Sequence, residues 1–473
     1  MQPLPVASPL SRQRPGLLRR ILVAVSCAAL ALAPHAAVAQ SSGKMPIVRD
    51  TEIESLLRDY IRPILKAANV RGSAVKVVLI QNATFNAFVA NGQKIFINTG
   101  ALIETRTPNE IIGVLAHETG HIAGGHLARL HQQLANAKVL SVVGLLLGAG
   151  ALVGSANGRV GQSGTGAGGL LVGSQELVRR NLLSYQRSEE QAADQAAVRF
   201  LNATHQSAKG LLSTLKGFAN NALFSTASID PYLQSHPLPQ ERIANLADLA
   251  AKSPYYNVTD PPALQARHDL MRAKLSGFTE RPETVMRRYP PSDRSVAARY
   301  ARAILAYRTA RSREAIAQMD DLLHEQPKNP YFWEMKGQVL LESGRPREAI
   351  APLRQAVALA PSTPLIRAML GRALVTSGDP SLLDQAIREL TNATQHEPEF
   401  ADAFRDLSTA YGRKGNIGMA ELAAGQYYFA LGQWDQAVTQ ASRAKAKLKP
   451  NSPAWLRADD ILAYQPTTRP PDK

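Results

Sequence analysis

His117-Glu118-Thr119-Gly120-His121 puts two imidazoles and a carboxylate into five consecutive residues. On a helix, positions four apart share a face, so both imidazoles can reach one metal ion and the carboxylate stands beside it. The set suits zinc, with two neutral nitrogens as ligands and an acid, Glu118, that takes a proton from an attacking water. A catalytic zinc needs a third protein ligand and an open position. The segment from Arg187 to Asp194 offers one on a second helix, where Glu190 and Asp194 share a face and Glu189 points about 100° away. One of the sharing pair can bind the metal while the other accepts a hydrogen bond from a ligand imidazole and fixes its tautomer. His126 and His131 follow His121 off the metal-facing stripe and read as ordinary helix residues, as does His205.

The elements that must position these groups are legible nearby. Thr107 can cap a helix, Pro108 fits its first position and Glu110 completes a capping box, after which Ile111, Ile112, Val114, Leu115 and Ile122 predict a buried helix. Upstream, Ile53, Leu56, Leu57, Ile61, Ile64 and Leu65 have helical spacing, Val75 to Ile80 reads as a strand, and Phe85 to Val89 and Lys94 to Asn98 flank an Asn91-Gly92 turn as a hairpin. Helical patterns resume at 174–201 and 207–218. Between the two candidate metal-binding helices, 139–174 combines an apolar stretch with a Gly/Ser-rich tract. The apolar part, Val139 to Gly154, is short for a spanning helix, and the whole reads as a lid or membrane-leaning segment.

Beyond the prolines of 252–292 a repeat begins. Ala315, Ala349, Ala386, Ala420 and Ala437 recur as small residues that let helices approach, and Pro327, Pro361, Pro398 and Pro450 recur as closing prolines. Steps near 34 residues, with Trp333, Gly337, Leu340 and Leu353 in phase, are those of a tetratricopeptide repeat. An insertion at 378–383 lengthens one step, and the last is a half-repeat.

At the N-terminus, Arg12, Arg14, Arg19 and Arg20 precede an apolar run from Ile21 to Ala33 and a small-residue site at Ala37-Val38-Ala39, the pattern of a cleaved export signal. Its removal takes away the single Cys, Cys27, and lowers the net charge from +16 to +12. A thiol-free exported chain fits a bacterial periplasm. It leaves no disulfide framework, and the basic balance has no helix-turn-helix or aromatic-basic platform to make it a nucleic-acid reader.

These marks together resemble a known family. The His117–His121 helix, the Arg187-x-x-Glu190-x-x-x-Asp194 helix, the Asn86-Ala87-Phe88 hairpin and the Ser-His-Pro-Leu-Pro-x-x-Arg-Ile segment from Ser235 to Ile243 are similar to the zinc metallopeptidases that include the HtpX and CAAX prenyl endopeptidases. The resemblance covers about residues 45–275. It implies a mainly α fold, an α+β zincin-type peptidase domain with a small edge sheet followed by an all-α tetratricopeptide solenoid. The division expected is a signal at 1–39, a peptidase at 40–275, a connector at 276–294, repeats at 295–462 and a disordered tail at 463–473. It implies one zinc per chain on His117, His121 and Glu190, with Glu118 as catalytic acid/base and Asp194 behind a ligand. His236 is implied as a fourth ligand or inhibitory switch, with a loop histidine or transition-state donor as the plainer alternative. The strand Lys94-Ile95-Phe96-Ile97-Asn98 is expected to pair with substrate backbone. The implied function is a periplasmic endopeptidase acting on unfolded or misassembled outer-membrane β-barrel proteins, with a chaperone-like role. The repeats would dock substrate or the barrel-assembly machinery, peripheral membrane contact is possible, and nucleic acid is not a partner. The alternative is an inert peptidase fold serving as a repeat-based adaptor.

Overall fold

A computed structural model describes residues 46–72, 75–90, 93–130, 132, 186–224, 236 and 240–464. The expected export signal, the 139–174 segment, His131 and the tail from 465 lie outside the described residues.

Helix α1 (Thr51–Ala67) starts where the Asp50 side chain accepts from the Ile53 amide, and it buries the apolar stripe from Ile53 to Leu65. Beside it lies a four-stranded sheet: β1 (Ile47–Val48), β2 (Lys76–Ile80), β3 (Ala87–Ala90) and β4 (Lys94–Asn98), in the order β1-β2-β4-β3. The two strands of the expected hairpin pair, with Phe88 opposite Phe96 and their rings stacked at 5.3 Å, while the Asn91-Gly92 turn lies outside the described residues. β4 also pairs in parallel with β2. This corrects the expectation that Lys94, Ile95, Phe96, Ile97 and Asn98 receive a substrate strand, because β4 is hydrogen-bonded on both sides and has no edge to offer. Its continuous apolar run is that of an interior strand. Among the described residues, β3 pairs on one side only.

A short helix α2 (Thr99–Glu104) leads to α3 (Pro108–Gly124), which carries the expected capping box and Pro108 in its first turn. Two glycines let neighbours close on α3. A side chain at Gly113 would strike Leu211 on α5 (Lys209–Phe224), and one at Gly120 would stand 2.9 Å from the Ala193 carbonyl on α4 (residues 186–203). α6 (Gln240–Ala251) places Leu246 and Ala250 in the same core.

Helix α7 (Pro262–Thr279) runs through position 275, where the sequence suggested that the peptidase ends. It serves two cores. Met271 and Leu275 pack with α1 and α3, while Leu270 packs with Tyr300, Ile304 and Phe332. After α8 (Pro282–Arg288) come five antiparallel helix pairs: α9 (Val296–Arg308) with α10 (Ser312–Glu325), α11 (Pro330–Glu342) with α12 (Pro346–Leu359), α13 (Pro364–Thr376) with α14 (Leu383–His396), α15 (Ala401–Arg413) with α16 (Ile417–Ala430), and α17 (Trp434–Lys447) with α18 (Pro453–Ala463). Ala315, Ala349 and Ala386 are fully buried in the second helices, whereas Ala420 is half-buried. The insertion is a 3-10 turn at Pro380–Leu382.

The repeats grip the start of α1 through buried polar contacts. Lys274 on α7 lies 2.7 Å from Asp50 and 3.3 Å from Glu52. The Tyr300 hydroxyl donates to Glu52 at 3.1 Å and the Thr51 hydroxyl donates to Glu334 at 3.1 Å. Burial would drive the Lys274 charge off, but Asp50, Tyr300, Glu52 and Glu334 hold its pKa well above the ordinary value. Breaking a buried pair by removing one partner costs about 3–5 kcal/mol. Lys274→Met should therefore shift unfolding to clearly lower urea, whereas the exposed Lys252→Met should leave the midpoint within error.

Candidate metal centre

α3 presents His117 and His121 one turn apart, with their Nε2 atoms 3.0 Å from each other. α4, held close by Gly120, brings Glu190 Oε2 to 3.3 Å from His117 Nε2 and Oε1 to 3.4 Å from His121 Nε2. His236 adds Nδ1 at 3.0 Å from Glu190 Oε1 and 3.5 Å from His117 Nε2. These four residues are the group, among the described residues, whose ligand atoms all lie within 4.8 Å of one another. Ligands at zinc bond lengths of about 2.0–2.1 Å in a tetrahedron stand about 3.3 Å apart. These separations of 3.0–3.5 Å fit that spacing.

The surrounding charges favour the same use. Both Glu118 oxygens are buried and lack a hydrogen-bond partner among the described residues; His236 Nε2 stands 3.5 Å from Oε1. Burial pushes the Glu118 carboxyl above its usual range. Burial works the same way on Glu190, but His236, His117 and His121 overcome it and hold that carboxyl well below the usual value. Asp194 Oδ1 stands 2.9 Å from His117 Nδ1, a close ionic contact rather than a well-aligned hydrogen bond. Behind both carboxylates lies Arg242 on α6, only 1% exposed. Its Nε donates to Asp194 Oδ2 at 2.6 Å, and Nη1 reaches Glu190 Oε2 at 2.7 Å. The sequence placed Arg242 in a motif but gave it no role.

The domain carrying these residues matches the model of peptidase family M48 over residues 48–250, and residues 300–364 match a tetratricopeptide repeat model. The chain carries an M48 peptidase domain with a tetratricopeptide tail. It is homologous to the β-barrel assembly-enhancing protease of Escherichia coli K12, at 23% identity over 311 residues, covering 64% of this chain. That alignment spans 61% of the length of the curated relative. A Vibrio cholerae serotype O1 protein named for the same activity aligns at 24% identity over 88% of this chain and 84% of its own. Solved structures of MamA and of YrrB, a tetratricopeptide protein with an unusual peptide-binding site, share 18% identity with it. They cover 34% and 48% of the chain at TM-scores of 0.27 and 0.28, too low to bear on its architecture.

Within the M48 domain, His126 departs from the expectation of an ordinary helix residue. The helix breaks at Gly125, whose φ of 66° is left-handed, so the spacing that pointed His126 away no longer applies. Its Nδ1 lies 2.9 Å from His121 Nδ1 and its Nε2 lies 2.7 Å from Glu189. His205 sits apart from the cluster, its ring 4.7 Å from Tyr255.

Burial drives the His121 imidazole down to about 3. It opposes charge on His117 too, but Asp194 and Glu190 prevail and raise that imidazole to about 9. A metal must therefore displace a proton from His117 below that pH. Zinc affinity should rise about tenfold per pH unit through the neutral range and level off near pH 9. Competition titrations against a chelator of known pH dependence measure this slope. A flat profile would place no titrating imidazole in the site.

Proposed function

We propose that this chain is a zinc endopeptidase of the periplasm that cleaves unfolded or misassembled outer-membrane β-barrel proteins and assists their assembly. The observation that carries the reading is the convergence of His117, His121 and Glu190 beside a buried Glu118 that has no hydrogen-bond partner among the described residues. Zinc would be held by those three residues and, when bound, supplies Lewis acidity for hydrolysis of a peptide carbonyl. Asp194 and Arg242 hold the ligands in place. Glu118 takes the proton of the attacking water and delivers it to the leaving amine, a task suited to a carboxyl whose pKa is raised by burial.

The approach of His236 Nδ1 to 3.0 Å from Glu190 Oε1 and 3.5 Å from His117 Nε2 supports reading His236 as a fourth ligand that keeps the site latent until it withdraws. Its Nε2 lies 3.3 Å from the Ala87 carbonyl on β3, so the His236 ring meets the sheet edge. That edge is where a substrate strand would pair, because β4 is enclosed. Main-chain pairing reads extended shape, and strand-forming barrel segments supply it. The export pattern supports the periplasm. Among the described residues no helix is long and apolar enough to cross a membrane. The names of the homologous proteases support barrel proteins as substrates, and the repeats support docking of substrate or of the barrel-assembly machinery.

Glu118→Gln should keep stoichiometric zinc and lose about 10²–10⁴ of the cleavage rate toward an unfolded barrel protein. His236→Ala should cleave faster than wild type. If wild type, Glu118→Gln and His236→Ala all failed to cleave while binding zinc, the chain would be an adaptor with an inert peptidase fold.

A further inference from the structure

The adjacent acids Glu189 and Glu190 point in different directions from α4, and each meets a histidine of the α3 segment. Glu190 faces His117 and His121 in the cluster. Glu189 faces His126, with Oε2 at 2.7 Å from Nε2, and the same oxygen accepts from Arg129 Nη2 at 2.8 Å. His126 turns back onto His121, bringing the two Nδ1 atoms to 2.9 Å with the rings edge-to-face. The backbone is shaped for this return. Gly125 adopts the left-handed conformation that ends α3, and any side chain at Gly124 would run into the His126 ring.

Proton positions follow from these contacts. His121 directs Nε2 into the cluster, where a ligand nitrogen must carry a lone pair. Its proton then sits on Nδ1 and points at His126 Nδ1. Two nitrogens 2.9 Å apart share one proton between them, so His126 Nδ1 accepts. A neutral His126 consequently carries its own proton on Nε2, directed at the Glu189 carboxylate.

We propose that His126 is a positioning residue for the metal centre, relaying the Glu189 carboxylate to His121 and fixing the tautomer and ring plane in which His121 offers Nε2. The inference rests on the reading of His121 as a zinc ligand. Both candidate ligand imidazoles are thus backed by a carboxylate, His117 directly by Asp194 and His121 through an interposed imidazole. The interposed ring spans a gap that α4 leaves, because Glu189 lies about 100° around that helix from Glu190. Arg129 Nη2, 2.8 Å from Glu189 Oε2, orients that carboxylate.

Groups that orient metal ligands typically contribute 10–100-fold to metal affinity. The test is Zn²⁺ affinity of the full chain by chelator competition, for wild type, His126→Leu, His126→Asn and Glu189→Gln, with ring ¹⁵N shifts of His121 and thermal unfolding of each metal-free protein. Wild type should bind one equivalent, with His121 protonated on Nδ1. His126→Leu should bind 10–100-fold more weakly with little change in the metal-free unfolding midpoint. His126→Asn, whose side-chain oxygen can still accept from His121, should recover part of the loss, and Glu189→Gln should weaken binding less than His126→Leu. Equal affinity and unchanged His121 shifts in His126→Leu would overturn the proposal while leaving the zinc reading intact. If His126→Leu failed to fold, unchanged affinity and shifts in Glu189→Gln would overturn it. A wild-type protein without stoichiometric zinc would overturn the reading beneath it.

Discussion

The approach of two helices at Gly120 and Ala193 is the constraint on which the site depends. His117 and His121 are fixed by one turn of α3, and Glu190 and Asp194 by one turn of α4. Neither pair closes a metal site alone. A side chain at Gly120 would stand 2.9 Å from the Ala193 carbonyl oxygen and 3.0 Å from its Cα, inside van der Waals contact, so the helices would have to separate. The fitted spacing among Nε2 and carboxylate oxygens follows from that contact. So does the burial that raises Glu118 and makes the opposite charges around Glu190 count. The same close packing needs a rigid foundation, which α3 receives from α1, α5 and the sheet.

Burying so many ionisable groups is unfavourable unless each has a partner. Here the partners form two tiers. Imidazoles and Glu190 face one another in the centre, while Asp194, Arg242, His126 and Glu189 stand behind and restrict how the inner groups can turn. A second buried polar knot, around Lys274, Glu52 and Glu334, joins the peptidase to the repeats. Helix α7 carries both Lys274 and the apolar residues of two cores. Through these contacts the repeat helices fix the start of α1, the same helix whose apolar face supports α3.

Much of this was legible in the residues. The capping box, the four-residue histidine spacing and the Glu190/Asp194 stripe are local helix geometry, which a sequence states directly. The hairpin was legible for the same reason, and the phase of small residues and prolines announced the repeats. What escaped depends on long-range placement. The order of the strands is set by β2 joining β4 in parallel, so the hairpin alone could not say which strand was the edge. The run Ile95-Phe96-Ile97 was the available sign that β4 is enclosed. His126 escaped because periodicity was carried through a helix that stops, although Gly124-Gly125 marked the stop. Arg242 escaped because an arginine is normally a surface residue, and its burial becomes visible only when α6 folds over α4. The division near 275 fell inside a helix because α7 is apolar toward two cores at once.

The central claim is that one metal ion sits where α3 and α4 meet. Anomalous diffraction from crystals of the purified chain, collected on both sides of the zinc edge, tests it most directly. A single zinc peak within bonding distance of His117 Nε2, His121 Nε2 and a Glu190 oxygen is the expected result. The absence of a peak there in zinc-supplemented crystals, or a peak held by other residues, would contradict the account.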